Sequence, residues 1–126
     1  MHILVVDDDV SLSGIYRLVL EEEGHHVTCA RSSEAALDIL AGPSRFDILL
    51  IDYSMPRMNG AQFIVSARAS SAEKLVGTRL IGFSSFREDV PVLDLFRQQV
   101  DELVEKPDDL DGAFTLFRRL CGEATA

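Results

Sequence analysis

Asp47-Ile48-Leu49-Leu50-Ile51-Asp52-Tyr53-Ser54-Met55-Pro56 decides the architecture of this chain. The run Ile48 to Ile51 is apolar without interruption, as a strand needs to be when helices cover both faces of a parallel sheet. It reads as the sheet's central strand, and it ends at a carboxylate, Asp52. Upstream, the apolar run Ile3 to Val6 is a second strand, stopped by Asp7-Asp8-Asp9. The helix after it sets Leu12, Ile15, Tyr16, Val19 and Leu20 on one face at helical spacing, with Gly24 as its stop. A weaker strand, His26 to Cys29, leads to a helix from about Ser33 with Ala36, Leu37 and Leu40 inward, ended by Gly42-Pro43. Downstream of the quoted stretch, Phe63, Ile64 and Ala67 mark a third helix, and Ser70 to Lys74 reads as its frayed end and loop. Leu80 to Phe83 is a fourth strand; Val92, Leu93 and Phe96 mark a fourth helix; Leu103-Val104 is the last strand. Leu110, Ala113, Phe114, Phe117 and Cys121 form the buried face of the last helix. Five strand-helix units make an α/β domain whose parallel sheet carries helices on both faces.

The 126 residues, 47% hydrophobic and 26% charged, suit one domain with a single core. That domain is expected over residues 1–122, with 123–126 a short tail, and no internal repeat or linker interrupts it. Met1 at the start of the first strand suggests a true N-terminus, although a stand-alone regulator and a receiver cut from a longer protein read alike, and no effector domain is expected within these residues. Twenty-one acidic against 12 basic residues give a net charge of -9, the wrong sign for direct nucleic-acid binding. The two cysteines, Cys29 and Cys121, lack disulfide-scaffold or metal spacing, and no apolar run spans a membrane, so a reduced, cytoplasmic protein is expected.

Ligands of open parallel sheets sit beyond the carboxyl ends of the strands. Those ends carry Asp7-Asp8-Asp9, Asp52, Ser84-Ser85 and Lys106-Pro107. Crowded carboxylates repel by up to about 4 kcal/mol per pair at moderate dielectric, and so demand a cation. Mg²⁺, which takes oxygen ligands and shares them with a phosphate, fits Asp7, Asp8 and Asp52; no Cys or His stands there for a softer metal. With a phosphoryl ligand, one carboxylate can act as nucleophile and Lys106 can neutralise a phosphate oxygen. Asp9 is read as a helix N-terminal acid outside the site. His25 and His26 point to opposite faces of a strand and read as solvated edge residues. Met55 and Met58 read as packing, Cys29 and Cys121 as small core residues, and Arg118-Arg119 as charges that favour a helix C-terminus.

Taken together, Ile3 to Asp9, Asp47 to Pro56 with Met58-Asn59-Gly60, Ile81 to Ser85 and Leu103 to Pro107 resemble the response-regulator receiver domain of two-component signalling, in a single-domain, chemotaxis-receiver-like form. The resemblance implies a flavodoxin-like sheet of order 2-1-3-4-5. It implies Asp52 as phospho-acceptor, Asp8 as a direct Mg²⁺ ligand, Asp7 as an acid acting through water, and the Ser54 backbone carbonyl as a further ligand. Ser84 would be the switch hydroxyl, Ser85 a small residue that lets phosphate approach, Lys106 a phosphate contact, and Lys106–Pro107 a cis peptide. Ser54 and Phe86 would flank the attack path. The implied partners are a sensor histidine kinase or phosphotransfer protein and an unknown output protein, the chain itself being a monomer or weak dimer. Three positions depart from the family: Leu103 stands where Tyr or Phe is usual, Gln99 replaces a glycine, and Asp108 replaces a phenylalanine.

Two other readings use the same residues. Asp7-Asp8-Asp9 after an apolar strand is similar to the opening of Mg²⁺-dependent haloacid-dehalogenase-type phosphohydrolases, with Asp7 as nucleophile and Asp9 as acid, but the chain is short for that family and Asp52 would go unexplained. A phosphate-independent, receiver-like interaction domain is the other, motivated by Leu103 and Gln99.

Overall fold

The computed structural model describes residues 1–85 and 90–122. Five parallel strands, β1 (His2–Val6), β2 (His26–Ala30), β3 (Ile48–Asp52), β4 (Arg79–Ser84) and β5 (Glu102–Glu105), lie in the order β2-β1-β3-β4-β5. Parallel neighbours need crossovers, supplied by α1 (Val10–Glu22), α2 (Ser33–Ala41), α3 (Gly60–Ser71) and α4 (Val90–Gln99), while α5 (Leu110–Phe117) follows the last strand. The order is the one the family resemblance implies. β3 pairs with β1 and β4 and is buried at every residue, which is why its sequence shows no alternation.

Side chains of successive strand residues enter two separate cores. Ile3, Val5, Ile48, Leu50, Ile81 and Phe83 pack under α1 and α5, whereas Leu4, Val6, Leu49, Ile51 and Leu80 pack under α2, α3 and α4. Each fully buried Leu, Ile or Phe contributes about 1.5–3 kcal/mol, so both layers are needed to hold the sheet. Helix ends follow local chemistry. The Asp9 carboxylate accepts from Leu12 N at the start of α1, Ser32 accepts from Ala35 N before α2, and Asn59 and Gln62 form a reciprocal capping box on α3. After α1 the chain reverses through Gly24 at φ +91°, a conformation that disfavours any side chain.

Several expectations about faces need correction. Ile15 is exposed and Ser13 faces inward instead, its hydroxyl 3.4 Å from the Asp7 carbonyl oxygen that accepts from it. Successive helical residues turn by about 100°, so a stripe through Ser13, Tyr16, Val19 and Leu20 leaves Ile15 on the flank. Leu37 is only half-buried, and Leu110, at the first turn of α5, is exposed, while Leu120 is buried. Ser70 to Lys74 is not frayed: Ser70 and Ser71 finish α3, Ser71 buried, and a 3-10 turn continues over Ala72–Leu75. Lys74 Nζ explains this order by donating to the carbonyls of Gly42 and Ser44. Arg118 and Arg119 do more than complement a helix end; they pair with Glu23 at 2.7 Å and Glu102 at 2.6 Å. Both cysteines are free, Cys121 buried and Cys29 half-buried. The Val92 side chain, the loop residues 86–89 with Phe86, and the tail 123–126 lie outside the described residues.

Gly82 on β4 permits a close approach by α4. A Cβ there would meet two ring carbons of Phe96 at 2.6 and 2.9 Å and Leu103 Cδ1 at 3.1 Å. Phe96 is fully buried, and its ring also lies 5.3 Å from that of Tyr53. Gly82→Ala is therefore expected to cost about 1–3 kcal/mol in urea unfolding, and Gly82→Ala with Phe96→Leu should recover part of that loss.

Candidate functional site

The carboxyl edge of the sheet gathers the charged residues. Asp7 leaves β1 with its backbone N–H bonded to Ala30 O at 3.1 Å, and Asp52 closes β3. Both side chains are almost fully buried. Asp7 Oδ1 accepts from Asp9 N at 2.9 Å, and Asp52 Oδ1 accepts from Ser54 N at 3.4 Å. Lys106 reaches the same point from beyond β5, where its N–H donates to the Ser84 carbonyl at 2.9 Å. Its ammonium lies 3.1 Å from Asp7 Oδ2 and 3.2 Å from Asp52 Oδ2.

Asp8 is exposed, yet it offers a carboxylate oxygen to the same place: one oxygen each from Asp7, Asp8 and Asp52 lie within 4.8 Å of one another. Ligands about 2.1 Å from a Mg²⁺ ion lie about 3 Å apart when adjacent and about 4.2 Å apart when opposite, so this all-oxygen set fits the ion after a small closure. Three carboxylates face one ammonium here. Burial, with the charge of Asp7 added, pushes the Asp52 carboxyl up to about 7, against the pull of Lys106. Burial also raises Asp7. Burial opposes the charge on Lys106, but Asp52 and Asp7 outweigh it and hold the ammonium above its ordinary value.

The remaining expected residues fall around this centre. Ser84 is buried at the end of β4, and Ser85 lines a cleft of about 590 Å³ with Asp9, Ser11, Leu12, Lys106 and Asp108. Ser54 is exposed on the loop beyond β3. That loop is braced where Ser33 Oγ donates to Met58 O at 2.8 Å and Gly60 N to Tyr53 O at 2.8 Å, with Arg57 held at φ 68° and paired to Glu34. The Asp9 carboxylate caps α1 and is not one of the three acids whose oxygens gather. The Lys106–Pro107 bond is trans, not cis; trans is the lower-energy isomer by about 0.5–1 kcal/mol even before proline. Leu103 sits half-buried opposite Gly82, and the aromatic ring beside it comes from Phe96 of α4. Helical spacing marked Phe96 as core, but nothing in the sequence showed that its ring lies over Gly82 of β4. Nor did it mark Tyr16, read as an ordinary core residue, as carrying a buried hydroxyl without a hydrogen-bond partner.

Residues 3–115 match the family model described as the response regulator receiver domain. The Escherichia coli transcriptional regulatory protein CpxR is 34% identical over 91 residues, covering 62% of this chain and 38% of that protein. The Xanthomonas campestris sensory/regulatory protein RpfC is 31% identical over 85 residues, covering 68% of this chain and 12% of that protein. This chain thus spans well under two thirds of the length of these relatives. Among solved structures, a Vibrio cholerae chemotaxis protein aligns with a TM-score of 0.78 at 21% identity, over 94% of this chain and 96% of that one. A CheY-like receiver from Methanospirillum hungatei gives 0.76 at 22%, over 98% and 96%. Neither set lends support to the haloacid-dehalogenase-type or phosphate-independent readings. With its parallel sheet in the order β2-β1-β3-β4-β5 and a match over nearly its whole length, the chain belongs to the receiver-domain family of two-component response regulators.

Proposed function

We propose that Asp52 accepts a phosphoryl group from the phosphohistidine of a sensor histidine kinase or phosphotransfer protein, and that the modified domain changes its affinity for an output protein. The observation that carries this reading is the Lys106 ammonium between Asp7 and Asp52 with Asp8 alongside. An Asp52 oxygen forms the O–P bond while the donor's N–P bond breaks and its electron pair returns to the imidazole. Asp7, Asp8, Asp52 and the Ser54 carbonyl would hold Mg²⁺, which supplies the positive charge that keeps Asp52 ionised and screens the incoming phosphate. Lys106 neutralises a phosphate oxygen, Ser84 Oγ turns toward the phosphoryl group, and small Ser85 leaves it room. The acceptor transfers a group to itself and turns over no separate substrate. We place this activity in residues 1–122, in the cytoplasm, in a monomer or weak dimer. No helix among the described residues is long and apolar enough to cross a membrane.

Movement at Ser84 is read out through α4. Leu103 carries no ring, whereas Phe96 of α4 lies against Gly82 and, 3.0 Å from a Cβ placed on Gly60, against the loop that leaves Asp52.

Incubation with Mg²⁺ and a small acyl phosphate should add one phosphoryl group, prevented by EDTA and by Asp52→Asn, with chemical trapping placing it on Asp52. Label on Asp7 would revive the hydrolase reading, and no label would favour a phosphate-independent domain.

The raised Asp52 sets a pH dependence. The unfolded carboxyl releases its proton near 3.8 and the folded one near 7, so between these values the native state binds more protons and loses stability as pH rises. In metal-free buffer, stability should therefore fall from about pH 4 to 7, and Asp52→Asn should flatten that fall and add about 1–3 kcal/mol at neutral pH. Millimolar Mg²⁺ should raise the melting temperature of the parent far more than that of Asp52→Asn. A melting temperature indifferent to Mg²⁺ in both proteins would remove the shared metal site. Hydrogen exchange with and without beryllofluoride should change most between Ser84 and Gln99, and less in β5 and α5; equal changes around Leu103 and Phe114 would contradict the α4 route.

A further inference from the structure

Gln99 closes α4, and its side chain turns inward at the helix end. Its Nε2 donates to the Ala61 carbonyl in the first turn of α3 at 3.2 Å, while its Oε1 is buried without a hydrogen-bond partner among the described residues. Arg68, further along α3, donates to the Gln99 backbone carbonyl at 3.2 Å. Among the described residues, these are the hydrogen bonds that tie α4 to another element, and both are made at Gln99. Two residues on, Asp101 is bonded to β4 in both directions: its N–H donates to Leu80 O at 2.8 Å, and its carboxylate accepts from Leu80 N at 2.7 Å. One end of α4 is thus fastened to α3 and, through the chain that follows, to the start of β4.

Leaving Oε1 buried and unmet is costly, and a methionine would fill the same space without that cost. What the amide adds is its bond to Ala61. That carbonyl stands at a well-braced place. Its neighbour Gly60 donates to the Tyr53 carbonyl at 2.8 Å, and a Cβ on Gly60 would meet the Asp52 carbonyl at 2.7 Å, so the start of α3 is packed against the exit of β3. Phe96 lies three residues before Gln99 on the same helical face, with its ring against Gly60 and Gly82. Ring and amide together hold the last turn of α4 against the strand that carries Asp52.

Resting on the reading of Asp52 as acceptor and Ser84 as the hydroxyl that turns toward its phosphoryl group, we propose that Gln99 is a positioning residue. It pins the C-terminal end of α4 to α3, so that phosphorylation makes α4 pivot on that end instead of sliding as a unit. The first turns of α4 follow Ser84, and the last turn stays. The bond to Ala61 is kept in both states, so it shifts no equilibrium between them and sets only the form of the movement.

The chain has three glutamines and one asparagine, so its side-chain amides give four pairs of NMR signals, each assignable from its own backbone. In the Mg²⁺-loaded parent, the Gln99 pair should exchange with water about tenfold more slowly than that of exposed Gln98. Adding beryllofluoride should leave the Gln99 pair in place while backbone signals from Val90 to Asp94 move. A Gln99 pair that shifts or loses protection with beryllofluoride overturns the pivot and leaves the acceptor reading standing. In Gln99→Met, the beryllofluoride-dependent changes should spread through Phe96 to Asp101, with beryllofluoride affinity by calorimetric titration within about twofold of the parent. Changes that still stop short of Phe96 would mean that packing alone fixes the helix end, against the proposal. An affinity about tenfold weaker would mean that the bond is made in one state only, which also refutes it. Should the parent take up neither beryllofluoride nor phosphate by intact mass, the acceptor reading fails and this proposal fails with it. The parent spectra keep Gln99 intact and decide the matter even if Gln99→Met folds poorly.

Discussion

One ammonium between two buried carboxylates organises the upper edge of this fold. Lys106 Nζ lies 3.1 Å from Asp7 and 3.2 Å from Asp52, each carboxylate almost fully out of water. Desolvating three charges is expensive, and such clusters are rarely kept for stability, since apolar residues of similar volume serve as well. Burial first, and the charge of Asp7 after it, raise Asp52 despite its lysine partner, so one cation leaves the balance incomplete. Under the proposed function, a divalent cation and a phosphoryl group would restore the balance together, the metal satisfying the carboxylates while the phosphate gives the lysine a new partner. On that proposal, the strain of the free site and the chemistry of the loaded one have one electrostatic origin.

The rest of the structure holds these groups at fixed separations. Parallel register places Val6 beside Ile51 and Asp52 beside Phe83, so the residues just past β1 and β3 emerge side by side. The Lys106 N–H on the Ser84 carbonyl ties the third corner to β4. Below the edge, the two faces of the sheet carry different information. Phe96 links α4 to Gly82 and Gly60 on one side, and Tyr16 lies against Phe83 on the other. Close packing of this kind transmits a displacement as a discrete rearrangement.

The acids, Ser84 and Lys106 were legible because each stands at or just beyond the end of an apolar run, and a run of that kind has few conformations open to it. Faces were less legible. Ile15 and Ser13 exchanged places because the stripe of a helix is set by the neighbour it packs against, here α5, and hydropathy alone does not record that neighbour. Ser70 to Lys74 looked like a loop by composition, yet Lys74 finds the Gly42 and Ser44 carbonyls from a distant segment and keeps the chain coiled. Arg118 and Arg119 looked like helix-end charges until Glu23 and Glu102 came within reach.

By itself, the sequence determined the strand-helix alternation, the central place of Ile48 to Ile51, and the identity of the residues at the strand ends, because burial on two faces and the period of each element are written in local apolar pattern. Only the tertiary structure decided which of those ends meet. Asp9 is drawn away by the Leu12 N–H of α1, while Asp8, its neighbour, turns to Asp7 and Asp52. The unpaired phenol of Tyr16 likewise became visible only when the core closed around it. A carboxylate or hydroxyl is assigned its role by the donors and acceptors that folding brings to it, and those partners here come from strands and helices far apart in the chain.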